Sequence, residues 1–101
     1  MKIIALEKES GIIGSITDQD LLKTESTHVY KLYLSGYIRE IYFNEHKQAI
    51  IILECANLDE ANNILDSLPL VKNGCVSFNL YQLLPYTGFN RIIIPESETL
   101  G

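Results

Sequence analysis

Residues 37–55, YIREIYFNEHKQAIIILEC, leave fewer options for the fold than any other part of the sequence. The first part, residues 37–43, alternates bulky and charged residues, which indicates a strand with two different faces. The second part, residues 48–55, is an almost unbroken apolar run rich in isoleucine, which is typical of a strand covered on both faces. The polar residues 44–47 between them predict a tight turn. A hairpin with such a second strand needs helices on one face and a second cover on the other.

A helix is predicted before this hairpin. Thr17 followed by Asp20 matches a capping box, so we expect the helix to begin there and to run to Leu34. Gly36 then supplies a C-terminal stop. With one residue every 100°, one stripe of this helix is apolar. It contains Leu21, Leu22, Val29, Leu32 and Tyr33.

A second helix is predicted after the hairpin. Asn57 with Glu60 three residues later forms another capping box, and Pro69 is expected to end the helix. Its outer face is acidic and polar, which is typical of a solvated surface. Its inner stripe is entirely apolar and contains Leu58, Ala61, Ile64, Leu65 and Leu68.

Three further strands and one loop complete the chain. Residues 2–8 are apolar on both sides and predict a central strand. Residues 75–83 alternate and predict a strand with one core face and one mixed face. Residues 91–94 predict a short extra strand, which we expect to pair with another subunit. Residues 11–16 place two glycines around isoleucines and predict a mobile loop, either a connector or a cover for a pocket.

The order of these elements predicts an α+β, ferredoxin-like βαββαβ fold with an extra C-terminal strand. Two right-handed crossovers give the strand order 4-1-3-2, with both helices on one face of the sheet. We expect a single domain over residues 1–95 and a flexible tail over residues 96–101. In this order Cys55 and Cys75 are too far apart for a disulfide, and both are expected to be reduced.

The two central strands are apolar on both faces, although both helices cover the same face. The economical second cover is another copy of the chain. We therefore expect a homodimer that packs through the open sheet face and closes into a dimeric α/β barrel.

Composition excludes several classes of partner. The chain has 101 residues and a formal net charge of -5, so neither nucleic acid nor an anionic membrane surface is an expected partner. No apolar run approaches the roughly 18 residues of a membrane span. The N-terminus turns acidic too soon for a secretory signal, so we expect a cytoplasmic protein.

Several ligand-binding motifs are missing from the sequence. It contains no CxxC pair, no HExxH, no GxGxxG and no GxxxxGK[ST]. The sequence therefore predicts neither a metal site nor a cofactor.

Two segments resemble the muconolactone isomerase-like branch of the dimeric α/β-barrel proteins. They are LDSLPLVKNGCVSFNLYQLLPY, and KLYLSGYIREIYF continuing into QAIIILECANLDEA. The resemblance covers residues 1–94 and implies a small dimer. The enzyme that names the family shifts a double bond in a small lactone without a cofactor, while many relatives have no assigned reaction.

Glu25 is the sharpest candidate for chemistry, because it lies in the middle of the apolar stripe of the first helix. Such a carboxylate either has a partner or has a raised pKa, and a raised pKa suits a general base near neutral pH. His28 is a near neighbour on the same helix, so Glu25 and His28 are the candidate catalytic residues. The alternatives are an ion pair between Glu25 and Arg39 and a surface role for His28.

Arg39 is the candidate residue for substrate orientation. It lies among aromatic residues and could clamp a carboxylate, or it could form a salt bridge between subunits. Tyr42 on the same strand is a second candidate for substrate binding. Asn79 and Tyr81 give the last strand a polar face that either lines the same cavity or belongs to its rim.

Two functions remain open at this point. One is a cofactor-free isomerase that acts on a small lactone or carboxylate by proton transfer. The other is a dimer that binds a small ligand without turnover or has a structural role. They differ in whether Glu25 is free to take a proton.

Overall fold

The computed structural model describes residues 1–93 of the chain. It contains a four-stranded antiparallel sheet in the order β2-β3-β1-β4, so the predicted α+β, ferredoxin-like fold and strand order are confirmed. In chain order the elements are β1 Lys2–Glu7, α1 Ile12–Ser15, α2 Gln19–Leu34, β2 Ile38–Phe43, β3 Ala49–Glu54, α3 Leu58–Asp66, α4 Pro69–Lys72, β4 Phe78–Gln82 and a 3-10 helix, Gly88–Arg91.

The core lies between the helices and one face of the sheet. Alternate residues of β1 and β3 are almost fully buried there, among them Ile3 and Leu53, which pair directly. Each isoleucine or leucine buried in this way contributes roughly 1.5–3 kcal/mol to stability. The core cluster contains Ile3, Ala5, Ile38, Ile51, Leu53, Cys55, Ala61, Leu65 and Leu68.

The other face of the sheet is also apolar at its centre. Side chains on a strand alternate between the two faces, so Ile4 and Leu6 of β1 lie opposite the core. They pair with Ile52 and Ile50 of β3, and all four are only partly buried. The structure therefore has an apolar strip, Ile4, Leu6, Ile50 and Ile52, which we call the open-face strip.

The ends of α2 explain where this helix starts and stops. Its N-cap is Asp18, whose side chain accepts a hydrogen bond from the Leu21 N–H at 3.0 Å. The prediction that the helix begins at Thr17 was therefore wrong by one residue, because either side chain satisfies the same preference. At the other end Gly36 has φ 88° and Tyr37 N–H donates to the carbonyl of Leu32, so the predicted glycine stop is confirmed.

The start of α3 also matches its prediction. The Asn57 side chain accepts from the Glu60 N–H at 2.8 Å, while Glu60 accepts from the Ala56 N–H at 3.1 Å. Pro69 follows the end of α3, as expected, and it also begins the next helix. It lies at the first position of α4, where a fixed φ and a missing N–H cost nothing.

Three local expectations need correction. Residues 11–16 contain one helical turn, α1, in place of a simple loop. β4 begins at Phe78 and not at Cys75, because the N–H and the hydroxyl of Ser77 both donate to the Glu9 carboxylate. Arg91 ends the 3-10 helix and residues 92 and 93 follow it, so residues 91–93 are not a strand. Residue 94 of the predicted strand and the predicted tail lie outside the described residues.

The edge strand β2 contains a bulge. Ile38 pairs with Leu53 and Glu40 pairs with Ile52, so Arg39 is an extra residue without a partner on β3. Beyond the bulge, Ile41 and Phe43 lie on the same face of the sheet as Ile38. Strict alternation would have placed Ile38 on the opposite face from Ile41.

Cys55 and Cys75 are both free, as expected. Among the helices within residues 1–93, none combines the length and the apolar character needed to cross a membrane.

Candidate functional site

A cavity of about 470 Å³ lies between α2 and the helix-facing side of the sheet. This volume suits a small organic molecule. Most of its wall is apolar, as expected for a ligand pocket, and the polar exceptions are few. The polar residues on its wall are Glu7, Glu25, Ser26, Tyr30 and Tyr33.

The mouth of the cavity lies between α2 and the edge strand β2. Tyr30 and Tyr33 on α2 and Phe43 on β2 line the cavity, yet their side chains are 60%, 53% and 56% exposed. Ile13 of α1 also lines it, so the segment predicted as a connector or cover contacts the pocket. A ligand would therefore enter past aromatic rings at this edge.

Glu25 lies on the wall of this cavity. Its Oε1 accepts a hydrogen bond from the Leu70 N–H at 3.0 Å, which satisfies a free donor at the start of α4. Burial raises the pKa of the Glu25 carboxyl above its usual value, although the bond from Leu70 and the nearby His28 oppose this shift. The proposed alternative, an ion pair between Glu25 and Arg39, is wrong.

Glu7 is a second carboxyl on the same wall, and the sequence analysis missed it. Its side chain is 6% exposed, and Oε1 accepts a hydrogen bond from the Ala49 N–H at 3.0 Å. Burial raises the pKa of this carboxyl; the bond from Ala49 opposes the shift, and the charge of Glu9 adds to it. The signal was available in the sequence, because Glu7 continues the buried series of Ile3 and Ala5 by two residues.

His28 neighbours Glu25 along α2 but is not part of the cavity wall. Its Nε2 lies 2.8 Å from the hydroxyl of Ser67, which itself donates to the carbonyl of Ile64. A hydroxyl that donates its only proton must accept from the ring, so this arrangement places the imidazole proton on Nε2. His28 therefore connects α2 to the end of α3, and the structure does not bring it together with Glu25 in the cavity.

Arg39 lies away from the cavity. Because it is the extra residue of the bulge, its Nε reaches back to the carbonyl of Gly36 at 2.7 Å. The N-terminal ammonium beside Glu54 lowers the pKa of that carboxyl, and the charge of Arg39 contributes in the same direction. The charge of Arg39 therefore acts on the Glu54 carboxylate and not on a group of the cavity wall.

Tyr42, Asn79 and Tyr81 lie on the opposite face of the sheet from the cavity. Tyr42 donates a hydrogen bond to Glu40 at 2.8 Å, which raises the pKa of its phenol. Asn79 pairs with Leu6 and Tyr81 with Ile4, so both flank the open-face strip. The expectation that these residues share one cavity with Glu25 is therefore wrong.

The ionisable side chains on the described part of the cavity wall are all acidic. Among the described residues that line it, none is Lys, Arg or His. Within residues 1–93, no cluster of three or more His, Cys, Asp or Glu side chains is arranged to hold a metal ion. What the wall can do chemically rests on two carboxyl groups, which can donate or accept protons.

Comparisons with known proteins give a relation at the level of the fold. No protein-family model matches the sequence, and no curated protein matches it significantly. Among solved structures, it is similar to 5-chloro-2-hydroxyhydroquinone dehydrochlorinase (TftG) from Burkholderia phenoliruptrix AC1100, in complex with 2,5-dihydroxybenzoquinone. The TM-score is 0.56 at 12% identity, over 85% of this chain and 97% of the other.

This similarity supports the ferredoxin-like fold inferred from the sequence. At such low identity it carries no residue of the dehydrochlorinase onto this chain. The structural neighbour is a small-molecule-processing enzyme of the same fold class.

Proposed function

We propose that this protein is a cofactor-free isomerase that moves a proton within a small lactone or a similar carbonyl compound. One observation carries the proposal: two carboxyl groups, Glu7 and Glu25, share an apolar cavity that is large enough for such a molecule. A carboxyl group with a raised pKa is matched to proton transfer near neutral pH.

The proposed reaction balances without any co-reactant. The ionised carboxylate of Glu25 takes a proton from the carbon next to the lactone carbonyl, and the electrons of the broken C–H bond form a dienolate. The carboxyl exchanges this proton with water at the cavity mouth and then returns a proton, either to the starting carbon or, completing the reaction, to the far end of the conjugated system. The double bond has moved, and Glu25 is again ionised.

The cavity favours an uncharged substrate. An ionised Glu25, with no cation among the described lining residues to balance it, would repel a carboxylate. Arg39, the residue considered for orienting a carboxylate, contacts Gly36 instead. The sequence left a lactone and a carboxylate as possible substrates, and we therefore propose the lactone.

The solved neighbour adds support of a general kind. Its title describes a complex with 2,5-dihydroxybenzoquinone, a small cyclic carbonyl compound. A lactone of similar size is a comparable occupant for a pocket of about 470 Å³ in this chain.

The proposal includes a homodimer that packs through the open sheet face. The open-face strip is apolar and only partly buried, as a face that packs against another copy requires. Tyr42 and Tyr81 flank it, and aromatic residues are enriched at such interfaces.

The test is solvent hydrogen exchange into a probe lactone. With α-angelica lactone in deuterated buffer, we expect the wild-type protein to speed exchange at the carbon next to the carbonyl, followed by NMR. Glu25→Gln keeps an acceptor for the Leu70 N–H but cannot take a proton, so we expect at least a roughly 100-fold loss of rate. Glu45→Gln, in the exposed hairpin turn, is the matched control and should retain the wild-type rate.

Either of two results would contradict proton transfer by Glu25. One is wild-type protein that does not accelerate exchange, and the other is a Glu25→Gln variant that exchanges as fast as the wild type.

Binding without turnover is the second candidate function. It is favoured by the hydrogen bond between Glu25 and the Leu70 N–H, which gives the carboxylate a structural role at the start of α4. A probe lactone that binds in the cavity without any accelerated exchange would select this alternative.

A further inference from the structure

Glu7 has a feature that the hydrogen-bond pattern of the cavity does not explain. One oxygen, Oε1, accepts from the Ala49 N–H at 3.0 Å. The other, Oε2, is buried and has no hydrogen-bond partner among the described residues. A buried carboxylate oxygen without a partner is costly when the group is charged, because water is removed and nothing replaces it.

The surroundings of Glu7 do not supply a charge that would stabilise its ionised form. Glu25, Tyr30 and Tyr33 are the other titratable groups on the cavity wall, and all come from α2. The strands β3 and β4 contribute only Ala49, Ile51 and Phe78, which carry no charge. Glu9 repels a charge on Glu7 and raises its pKa further. A neutral carboxyl, with its proton on Oε2, is the form that this environment favours.

We propose that Glu7 is a ligand-binding residue, and that its neutral carboxyl donates a hydrogen bond from Oε2 to a carbonyl oxygen of an uncharged ligand in the cavity. This rests on the proposed function, because it assigns the ligand to the same cavity. It also extends that function, because it names the group that recognises the ligand. A carbonyl held in this way would be polarised on the side of the molecule where negative charge develops.

The geometry allows this contact after a small movement. Oε2 is closed to water in the unliganded protein, although the Glu7 side chain forms part of the wall. The terminal torsion of a glutamate has a broad energy minimum, so the carboxyl can turn toward a ligand at little cost.

The experiment uses benzamide, which is uncharged and inert, and benzoate as its anionic counterpart. Binding is followed through the methyl resonances of Val29 and Ile51, two residues of the cavity wall. We expect the wild type to prefer benzamide over benzoate. We also expect its affinity for benzamide to fall about tenfold as Glu7 loses its proton with rising pH, which is the loss of roughly one hydrogen bond.

Two variants separate the donor from the charge. Glu7→Gln retains an N–H donor and the acceptor for Ala49, so it should bind benzamide with no dependence on pH. Glu7→Leu fills the space without a donor and should bind about tenfold more weakly at every pH. Glu45→Gln is the control and should behave as the wild type; amide spectra of each variant establish that it is folded.

Three results would overturn the proposal. They are equal binding by the wild type, Glu7→Gln and Glu7→Leu; a pH dependence that persists in Glu7→Gln and so belongs to Glu25; and a preference for benzoate. If the benzamide pattern holds while lactone exchange fails, Glu7 stands as a binding residue and the isomerase proposal falls. A wild type that binds neither benzamide nor benzoate overturns the role of Glu7, whereas the isomerase proposal is decided by lactone exchange alone.

Discussion

At the scale of single residues, the cavity is defined by two carboxyl groups in different situations. Glu25 has one oxygen bonded to the Leu70 N–H, and Glu7 has one oxygen bonded to the Ala49 N–H. Both have a raised pKa for the same first reason, which is burial. Glu7 is the more buried and keeps an unpartnered oxygen, so it suits a donor, while Glu25 suits a base.

The raised pKa of Glu7 predicts how stability depends on pH. Below the unfolded-state value near 4.5, both states carry the proton and the stability is fully present. As pH rises, the unfolded chain releases the proton while the folded protein keeps it, so the free energy of unfolding decreases until Glu7 ionises in the folded state. Each unit by which the pKa is raised costs about 1.4 kcal/mol.

Glu7→Gln mimics the protonated form and should remove this loss. We expect urea unfolding to give similar stabilities for the variant and the wild type at about pH 4, and a more stable variant at about pH 8. Glu45→Gln, at an exposed position of the hairpin turn, should follow the wild type. A Glu7→Gln protein that is less stable at the higher pH would mean that Glu7 is ionised and favourably solvated in the fold.

Sequence patterns found one of these two carboxyl groups. Glu25 stood out because it interrupts an apolar helical stripe. Glu7 did not stand out, because a charged residue at the end of a strand is usually exposed. Only its position on the same strand face as Ile3 and Ala5 indicates that it is buried. The role of Arg39 could not be predicted, since the bulge that removes it from the pattern depends on pairing with β3.

At the scale of elements, α2 offers a direct test of helix capping. Asp18 accepts from the Leu21 N–H, whereas Thr17 was the cap expected from the sequence. We expect Asp18→Ala to lower the free energy of unfolding by about 1 kcal/mol, and Thr17→Ala to change it by much less. The reverse order in chemical denaturation would show that the helix begins at Thr17 after all.

Element types could be predicted well because each depends on local periodicity. The hairpin, α2 and α3 follow from such patterns, the strand order follows from two right-handed crossovers, and all of them are confirmed. Boundaries were less certain because neighbouring residues offer equivalent caps, as Thr17 and Asp18 do. The start of β4 also escaped prediction, since it is set by the distant Glu9, which binds both donors of Ser77.

At the scale of the whole molecule, the open-face strip gives the proposed dimer a specific test. Ile52 lies at its centre, paired with Ile4 of β1. A lysine there would carry its charge into an apolar interface at a cost of several kcal/mol. We expect Ile52→Lys to sediment as a monomer under conditions in which the wild type sediments as a dimer.

The matched control is Asn62→Lys, which adds the same charge to the exposed side of α3. It should remain dimeric. A wild-type protein that is monomeric at micromolar concentration would contradict the dimer, and an Ile52→Lys protein that stays dimeric would move the interface elsewhere.

Whole-molecule architecture was predictable, but the position of the site was not. The faces of the sheet follow from alternation, so the sequence identified the apolar surface beyond the helices. It offered Tyr42, Asn79 and Tyr81 as candidates for the site that contains Glu25, although the sheet separates them from it. Which side of a sheet a polar residue faces depends on register, and one extra residue in β2 changes it.

That extra residue has an evolutionary consequence. If Arg39 were deleted, Ile38, Ile41 and Phe43 would still face the helices, and Glu40 and Tyr42 would still face the other way. Loss of this residue is therefore neutral for the interior, whereas an insertion or deletion at any later position of β2 would turn the remaining side chains over. Homologous chains that differ by one residue in this strand should carry the gap at Arg39.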